Sequence, residues 1–374
     1  MYDFLVVGAG IAGASAAYEL STSARVCLLE AEERPGLHAT GRSAALYDPS
    51  YGGREIRALT RASRAFFDAP PEGFNQAPLL TERGCLYIAG PDQTWSLTAM
   101  AAEVEATGGH LAPMDRAEAL ARVDRLRPDY LAAATYDAEA MDIDVDALHQ
   151  GFLRGARARG AALIVEAAVR APVRRDGLWR VATAQGEVTA PVLVNAAGAW
   201  ADEVAEACGA GRLGLTPMRR TALLVDPPPG ADIRGWPMVI DADEAFYFKP
   251  DAGKLLLSPA DETPQPPGDA QPEELDIAIA VDRVQQALDI EVRRVSHSWA
   301  GLRTFAPDRK PVVGFDAATP GLFWCAGQGG YGIQTAPAMG RLVAALARGE
   351  AAPADITAEG VAAERLSPRR FAVA

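Results

Sequence analysis

The sequence is poor in residues that several common chemistries require, and each shortage removes a class of protein. Only four cysteines occur in 374 residues: Cys27, Cys85, Cys208 and Cys325. They form no CxxC pair and have no histidine at ligand spacing, which argues against a zinc site or a disulfide framework and for a reducing, cytoplasmic setting. Histidine is equally scarce. His38, His110, His149 and His297 stand in loop, helix or packing contexts, and none is placed where a general base is demanded. Positive charge is in deficit, with 36 Lys+Arg against 49 Asp+Glu and a formal net charge of -13. That balance builds no extended cationic face, so neither nucleic acid nor an anionic membrane is expected as the main partner. No apolar stretch approaches the roughly 20 residues of a membrane helix, so no integral membrane segment is expected. The opening run to Leu20 lacks a basic start and is broken by glycines and a glutamate, unlike a secretory leader.

What is present is an ordinary globular composition, 49% hydrophobic and 23% charged. Its length holds two to three domains' worth of chain, and small molecules or proteins are the compatible partners.

Phe4-Leu5-Val6-Val7 is continuously apolar, like a strand buried on both faces of a parallel sheet. It runs into Gly8-Ala-Gly10-Ile11-Ala12-Gly13 and then into the helix formers Ala14 to Leu20. In such a strand-turn-helix, Gly8 permits the turn, Gly10 lets the backbone approach a pyrophosphate, and Gly13 lets the helix pack closely on the strand. The helix N-terminus offers free N–H groups and partial positive charge to the phosphates. A second strand, Arg25 to Glu30, ends in an acid where this fingerprint places its ribose-binding carboxylate. An acid there disfavours NADP, which leaves NAD or FAD.

After Glu30 comes Ala31-Glu-Glu-Arg-Pro-Gly-Leu-His38-Ala-Thr40-Gly41-Arg42-Ser43-Ala44-Ala, too irregular for the next helix of a simple mononucleotide fold. This run resembles the loop by which FAD oxidoreductases of the D-amino-acid oxidase superfamily hold the flavin. Val192-Leu-Val-Asn195-Ala196-Ala-Gly198-Ala-Trp200 is similar to that family's second contact with the dinucleotide. Ala162 to Val169 reads as a further strand, at a place where the family's backbone meets adenine, here through Ala168 and Val169. Gly327-Gln-Gly329-Gly330-Tyr331-Gly332-Ile333-Gln334, ahead of a C-terminal helix, looks like the segment that meets the isoalloxazine. The resemblance implies non-covalent FAD bound by these segments and by Gly301 and Arg303, and no metal. It also implies an α/β fold: a Rossmann-like FAD domain of the glutathione-reductase type, with an α+β substrate domain on an antiparallel sheet.

Three segments thus carry cofactor signatures, giving a discontinuous FAD domain over 1–84, 142–215 and 300–374. The substrate domain takes 85–141 and 216–299. In its second piece Ala222–Val225, Met238–Ile240, Phe246–Lys249 and Lys254–Leu257 read as strands, with Pro250-Asp-Ala-Gly253 a hairpin turn. Asp144 reads as the N-cap of a helix returning to the cofactor domain. Asp261 to Pro272 reads as a surface loop with little functional content, and Leu366 to Ala374 as a lightly anchored tail.

Gly41-Arg-Ser-Ala-Ala, Ala58 to Asp68, Asp146 to Gly151, Trp299 to Arg303 and Gly329 to Gln334 resemble bacterial D-arginine dehydrogenases most. From that resemblance Arg220 and Arg303 clamp the substrate carboxylate. Tyr51 and Tyr247 cover the substrate, Met238 and Ile240 form an apolar wall, and Gly330 and Tyr331 lie near the flavin. Three positions depart from the pattern. Cys85 stands for a glutamate that pairs with guanidinium, Leu46 for a histidine and Asp48 for a threonine. Either Asp48 takes over as cationic partner, or the pocket prefers uncharged side chains and Asp48 is a turn residue before Pro49. The implied activity is oxidation of a D-amino acid to the imino acid, then the 2-oxo acid and ammonia, by hydride transfer from Cα to flavin N5. A quinone or other acceptor takes the electrons. Alternatives are oxidation of glycine, sarcosine or a 2-hydroxy acid, and a flavin-binding subunit without turnover.

Overall fold

The computed structural model describes residues 1–371. Its first sheet has six strands in the order Val312–Phe315, Leu322–Ala326, Val192–Asn195, Phe4–Val7, Val26–Leu29 and Ala162–Ile164. All run parallel except Val312–Phe315. The inner strands Phe4–Val7, Val26–Leu29 and Leu322–Ala326 are apolar and buried throughout because both faces are covered. Phe4, Val6, Leu28 and Val194 pack under the helices Ile11–Leu20 and Gly332–Ala347. On the other face Leu5, Val7, Leu29 and Trp324 join Trp179 of a small three-stranded sheet.

The second sheet has Thr263–Pro264, Thr216–Val225, Lys254–Ser258, Tyr247–Asp251, Met238–Asp241, Cys85–Ala89, Ala133–Asp137 and Ala112–Met114 in that order. Val295–Phe305 pairs with Thr216–Val225. Chain segments far apart in sequence meet where Met238–Asp241 runs parallel to Cys85–Ala89. Leu86, Val239, Phe248 and Leu257 are buried on one face beneath the helices Arg116–Arg122 and Glu274–Ala287. Side chains alternate along a strand, so Cys85, Tyr87, Met238, Ile240 and Tyr247 cluster on the opposite face. At the hairpin, Asp251 pairs with Lys254, and Ala252 and Gly253 form a two-residue loop with φ of 47° and 78°. That is type I′ geometry, which suits the twist of the flanking strands. The Asp144 side chain caps the helix Val145–Ala158, accepting from the Ala147 N–H at 2.9 Å.

Three expectations need correction. The strand expected over Ala162 to Val169 ends at Ile164, because Glu166 takes a positive φ of 53° and the Ala167 N–H turns back to the Glu30 carbonyl at 2.7 Å. Val295–Phe305 runs unbroken through the limit placed between 299 and 300. The C-terminal segment is anchored as far as Phe371: Leu366 is fully buried, and Arg370 grips both Asp308 carboxylate oxygens at 2.9 and 3.0 Å. The rest of that tail, 372–374, lies outside the described residues. Among the described residues no helix is long and apolar enough to cross a membrane.

Candidate active site

A cavity of about 590 Å³ lies between the strand ends of the first sheet and the inner face of the second. Its wall includes Gly8, Gly10, Ile11, Ala12, Glu30, Ala31, Thr40, Arg42, Ser43, Ala44, Ala168, Val169, Ala196, Gly198 and Trp200. Gly301, Arg303, Gly329, Gly330, Gly332 and Ile333 complete it. Gly13 and Gly41 stand behind this wall. A Cβ on Gly13 would collide with the Gly8 carbonyl oxygen, and the Gly41 N–H closes a turn on the Gly36 carbonyl at 2.9 Å. Gln334 is also withdrawn, its amide held by Thr60 Oγ1 at 3.0 Å and by the Asp48 N–H at 3.2 Å.

The turn that the glycines form is built for a close-approaching anion. Gly8 has φ of 93°, and a Cβ there would meet the Ala196 carbonyl oxygen at 2.5 Å. The Ile11 N–H donates to Thr40 Oγ1 at 3.0 Å, while the Ala12 and Gly13 N–H groups have no acceptor among the described residues. Glu30 accepts from the N–H groups of Ala9 at 2.9 Å and Glu32 at 3.1 Å, which fixes its carboxylate at the cavity wall. His149 Nε2 donates to the Ala9 carbonyl at 2.8 Å, and burial lowers its pKa, so a neutral imidazole braces the turn. These features fit FAD: Glu30 would face a ribose, Gly8, Gly10, Ile11 and Ala12 the pyrophosphate, and Gly329, Gly330, Gly332 and Ile333 the ring system.

A smaller pocket shares Arg220, Tyr247, Arg303 and Gly330 with the large cavity and adds Leu46, Asp48, Tyr51, Met238, Ile240 and Glu244. Strand register explains the gathering. Ile240 lies opposite Tyr247, and Arg220 opposite Gly301, two residues before Arg303 on the same face. Arg219 points the other way and is spent on Glu273 and on Asp276, the latter at 2.7 Å. Arg220 donates through Nε to the Asp261 carbonyl at 2.9 Å and lies 3.4 Å from Glu262 through Nη2. Arg303 forms no salt bridge with a carboxylate among the described residues; the phenols of Tyr51, Tyr247 and Tyr331 surround it, and its pKa is raised, so it stays a guanidinium.

Tyr51 Oη donates to Glu244 Oε2 at 3.0 Å, and its ring meets Tyr331 at 5.2 Å. Burial first, and then the Glu244 charge, raise its pKa and keep the phenol protonated. Tyr331 therefore backs Tyr51 and lines neither cavity. Asp48 is 1% exposed and accepts from Tyr87 Oη at 2.6 Å and from the Ser50 N–H at 2.8 Å. Burial and the adjoining Asp137 carboxyl push its pKa up to about 7. Cys85 is fully buried behind Asp48, outside the pocket wall, and burial raises its thiol pKa well above the usual value.

Sequence reasoning missed Glu244, Tyr87 and Asp137. It also undervalued the loop after Ala260, which supplies the Arg220 partners and sends Gly268 and Ala270 to the large cavity. The Asp137 signal was hidden because it depends on the pairing of Cys85 with Asp137, across 52 positions.

A mostly parallel sheet with a glycine turn suited to a dinucleotide, facing a mixed, mostly antiparallel sheet with an arginine pair on its inner face, defines a two-lobed nucleotide-cofactor oxidoreductase. The chain belongs to the FAD dependent oxidoreductase (DAO) family, whose model matches residues 3–346, and FAD is its cofactor. It is 30% identical over 176 residues to FAD-dependent oxidoreductase domain-containing protein 1 of Bos taurus, covering 42% of this chain and 35% of that protein. The chain thus spans about a third of the length of the first curated relatives it matches. Glycine oxidase of Geobacillus kaustophilus is 26% identical over 366 residues, 92% of each chain. A crystal structure of glycine oxidase from that organism superposes with a TM-score of 0.82 at 22% identity, over 94% of this chain and 95% of that one. L-proline dehydrogenase from P. horikoshii gives 0.82 at 20% identity, over 99% and 97%.

Proposed function

We propose that the chain oxidises a D-amino acid to the imino acid, which water converts to the 2-oxo acid and ammonia, as a dehydrogenase similar to bacterial D-arginine dehydrogenases. Arg303 carries the reading: a guanidinium at the junction of the two cavities with no carboxylate partner among the described residues. Such a group, unpaired in the protein, suits an anionic end of a ligand. Arg303 and the uncommitted Nη1 of Arg220 form a fork for a carboxylate, each charge-assisted hydrogen bond being worth about 1.5–3 kcal/mol. Tyr247 lies over the Arg220 guanidinium at 6.0 Å and, with Tyr51, excludes water. Gly330 closes in on Arg303, where any Cβ would come within 2.7 Å of Nη1, and offers its carbonyl to the amine. Bound FAD supplies the two-electron acceptor.

The D configuration rests on the resemblance at Tyr51, Arg220, Tyr247 and Arg303. The four cysteines are free and buried, in keeping with non-covalent FAD and a reducing compartment. Electrons leave to a quinone or similar acceptor. Anaerobic mixing of the yellow protein with D- and L-amino acids, glycine, N-methyl amino acids and 2-hydroxy acids tests the reading. Bleaching by D-amino acids is expected; bleaching by the other classes alone overturns it.

A further inference from the structure

The pocket has two charged poles. Arg220 and Arg303 occupy one, Asp48 the other, and the apolar side chains of Leu46, Met238 and Ile240 share the wall with them. Behind Asp48, and outside the pocket, stands Asp137, brought there because Asp137 pairs with Cys85 across adjacent strands. Asp137 is 2% exposed, and its Oδ1 accepts from the Glu139 N–H at 2.8 Å. Its Oδ2 is buried with no hydrogen-bond partner. Two abutting carboxyl groups in a dry site cannot both ionise without large cost, and a proton held between them satisfies the orphaned oxygen. Both Asp48 oxygens are already acceptors, from Tyr87 Oη and the Ser50 N–H, so Asp48 is oriented whatever its charge.

We infer that Asp48 and Asp137 share one proton and form a proton-switched subsite for the distal end of the substrate side chain. Asp137 is the positioning residue that sets the charge of Asp48. With the proton in place, the pocket end accepts neutral side chains. When a cationic side chain enters, the shared proton leaves to solvent and the doubly ionised pair binds the cation. This rests on the amino-acid reading above and names the residues that choose among substrates.

The groups facing Asp48 are consistent with that assignment. From the neighbouring strands these are Asp137, Tyr87 and Cys85, of which Tyr87 and Cys85 stay neutral because burial raises both pKa values. Across the pocket stand Arg303, Arg220 and the protonated phenol of Tyr51, with Tyr247 beside Arg220 and Glu244 bound to Tyr51. Burial and then the adjoining Asp137 carboxyl push the Asp48 pKa up to about 7, which puts the switch near neutral pH.

D-ornithine and D-norleucine are near-isosteres that differ in side-chain charge, so the ratio of their kcat/KM values isolates the subsite. In the holoenzyme the ratio is expected to rise about tenfold per pH unit below the switch and to level off above it. Asp137→Asn should make the ratio high and flat from pH 6 to 9, and Asp48→Asn low and flat. Infrared difference spectra read the proton without turnover. A protonated-carboxyl band should be present at pH 6.5, vanish on anaerobic addition of D-ornithine, persist with D-norleucine and be lost in Asp137→Asn. A missing band, or one that D-ornithine leaves unchanged, overturns the inference, as does a pH-independent ratio in the unmodified protein. If the band responds but no D-amino acid bleaches the flavin, the proposed function fails and the subsite stands.

Discussion

The two sheets hold their functional groups in opposite ways. In the six-stranded sheet both faces are buried, so what reaches the cavity comes from strand ends and is largely backbone: the Gly8 to Gly13 turn and the N–H groups that open the helix Ile11–Leu20. In the nine-stranded sheet one face is open to the pocket, and what reaches it is side chains: Arg220, Met238, Ile240, Tyr247 and Arg303. At Gly8 and Gly13 the backbone site leaves no room for an added atom, whereas a side-chain site can be rewritten one residue at a time. Substrate choice can therefore change while the cofactor half stays intact. The departures at Leu46, Asp48 and Cys85 all fall on the side-chain site or directly behind it.

The harshest test of that contrast is one methyl-bearing side chain at Gly13. Its Cβ would drive into the Gly8 carbonyl oxygen, and backbone cannot swing aside as a side chain can. Gly13→Val should cost about 3 kcal/mol or more and yield colourless protein, measured by flavin absorbance of the purified chain and by thermal unfolding. A yellow, normally stable variant would break the distinction. On the other side, Arg303→Met should leave flavin content and Tm nearly unchanged and lower kcat/KM for the preferred amino acid about 10³-fold, the equivalent of two charge-assisted hydrogen bonds at about 2 kcal/mol each. A loss of flavin in that variant would show that the two halves are not separable.

The same contrast explains what could be read in the sequence. Gly8, Gly10, Gly13 and Glu30 lie within one strand-turn-helix-strand unit, so their spacing alone describes the geometry. The helix from Val145 was legible for the same reason, through Asp144 as its cap. Arg219 and Arg220 show the limit: they are neighbours in sequence, and only the parity of their strand sends one to Asp276 and the other to the pocket. Asp137 and Glu244 needed strand register and a turn conformation, Glu244 having φ of 54°, which no local pattern encodes. The loop after Ala260 looked inert because proline and acids mark exposure, yet its Asp261 carbonyl holds Arg220. The C-terminal segment looked loose because its partners, Asp308 and Lys310, lie some sixty positions upstream.

Raising and lowering the pH below neutrality should separate the halves next. Asp48 titrates at about 7 in the folded chain against 3.8 as its ordinary value, a raised acid pKa. Its protonated form is favoured by folding, so the contribution is complete below pH 3.8 and is lost as pH rises through about 7. At about 1.4 kcal/mol per unit, the whole loss is on the order of 4 kcal/mol. Asp48→Asn removes the titration, so the variant should gain on the unmodified protein as pH rises from 3.8 to about 7 in denaturant unfolding, with no further gain at higher pH. Equal pH slopes for the two proteins would count against a buried proton.

His149 gives the mirror image in the cofactor half, with a smaller effect. Its folded pKa is depressed by burial below 6.5, and its Nε2 hydrogen bond to the Ala9 carbonyl only partly offsets that. Here the neutral form is favoured by folding. Stability is complete above pH 6.5 and falls as pH drops from there through the folded value, because the unfolded chain takes up the proton first. His149→Gln keeps a donor for Ala9 and has nothing to titrate. The loss of stability between pH 7.5 and 5 should be smaller in the variant than in the unmodified protein, read by denaturant unfolding at both pH values. Because His149 braces the Gly8 to Gly13 turn, the loss on acidification should be accompanied by release of flavin, whereas the loss at Asp48 as pH rises to about 7 should leave the flavin bound. If flavin release followed the rise of pH to about 7 instead, the turn would owe its rigidity to the second sheet, and the division between a backbone half and a side-chain half would have to be given up.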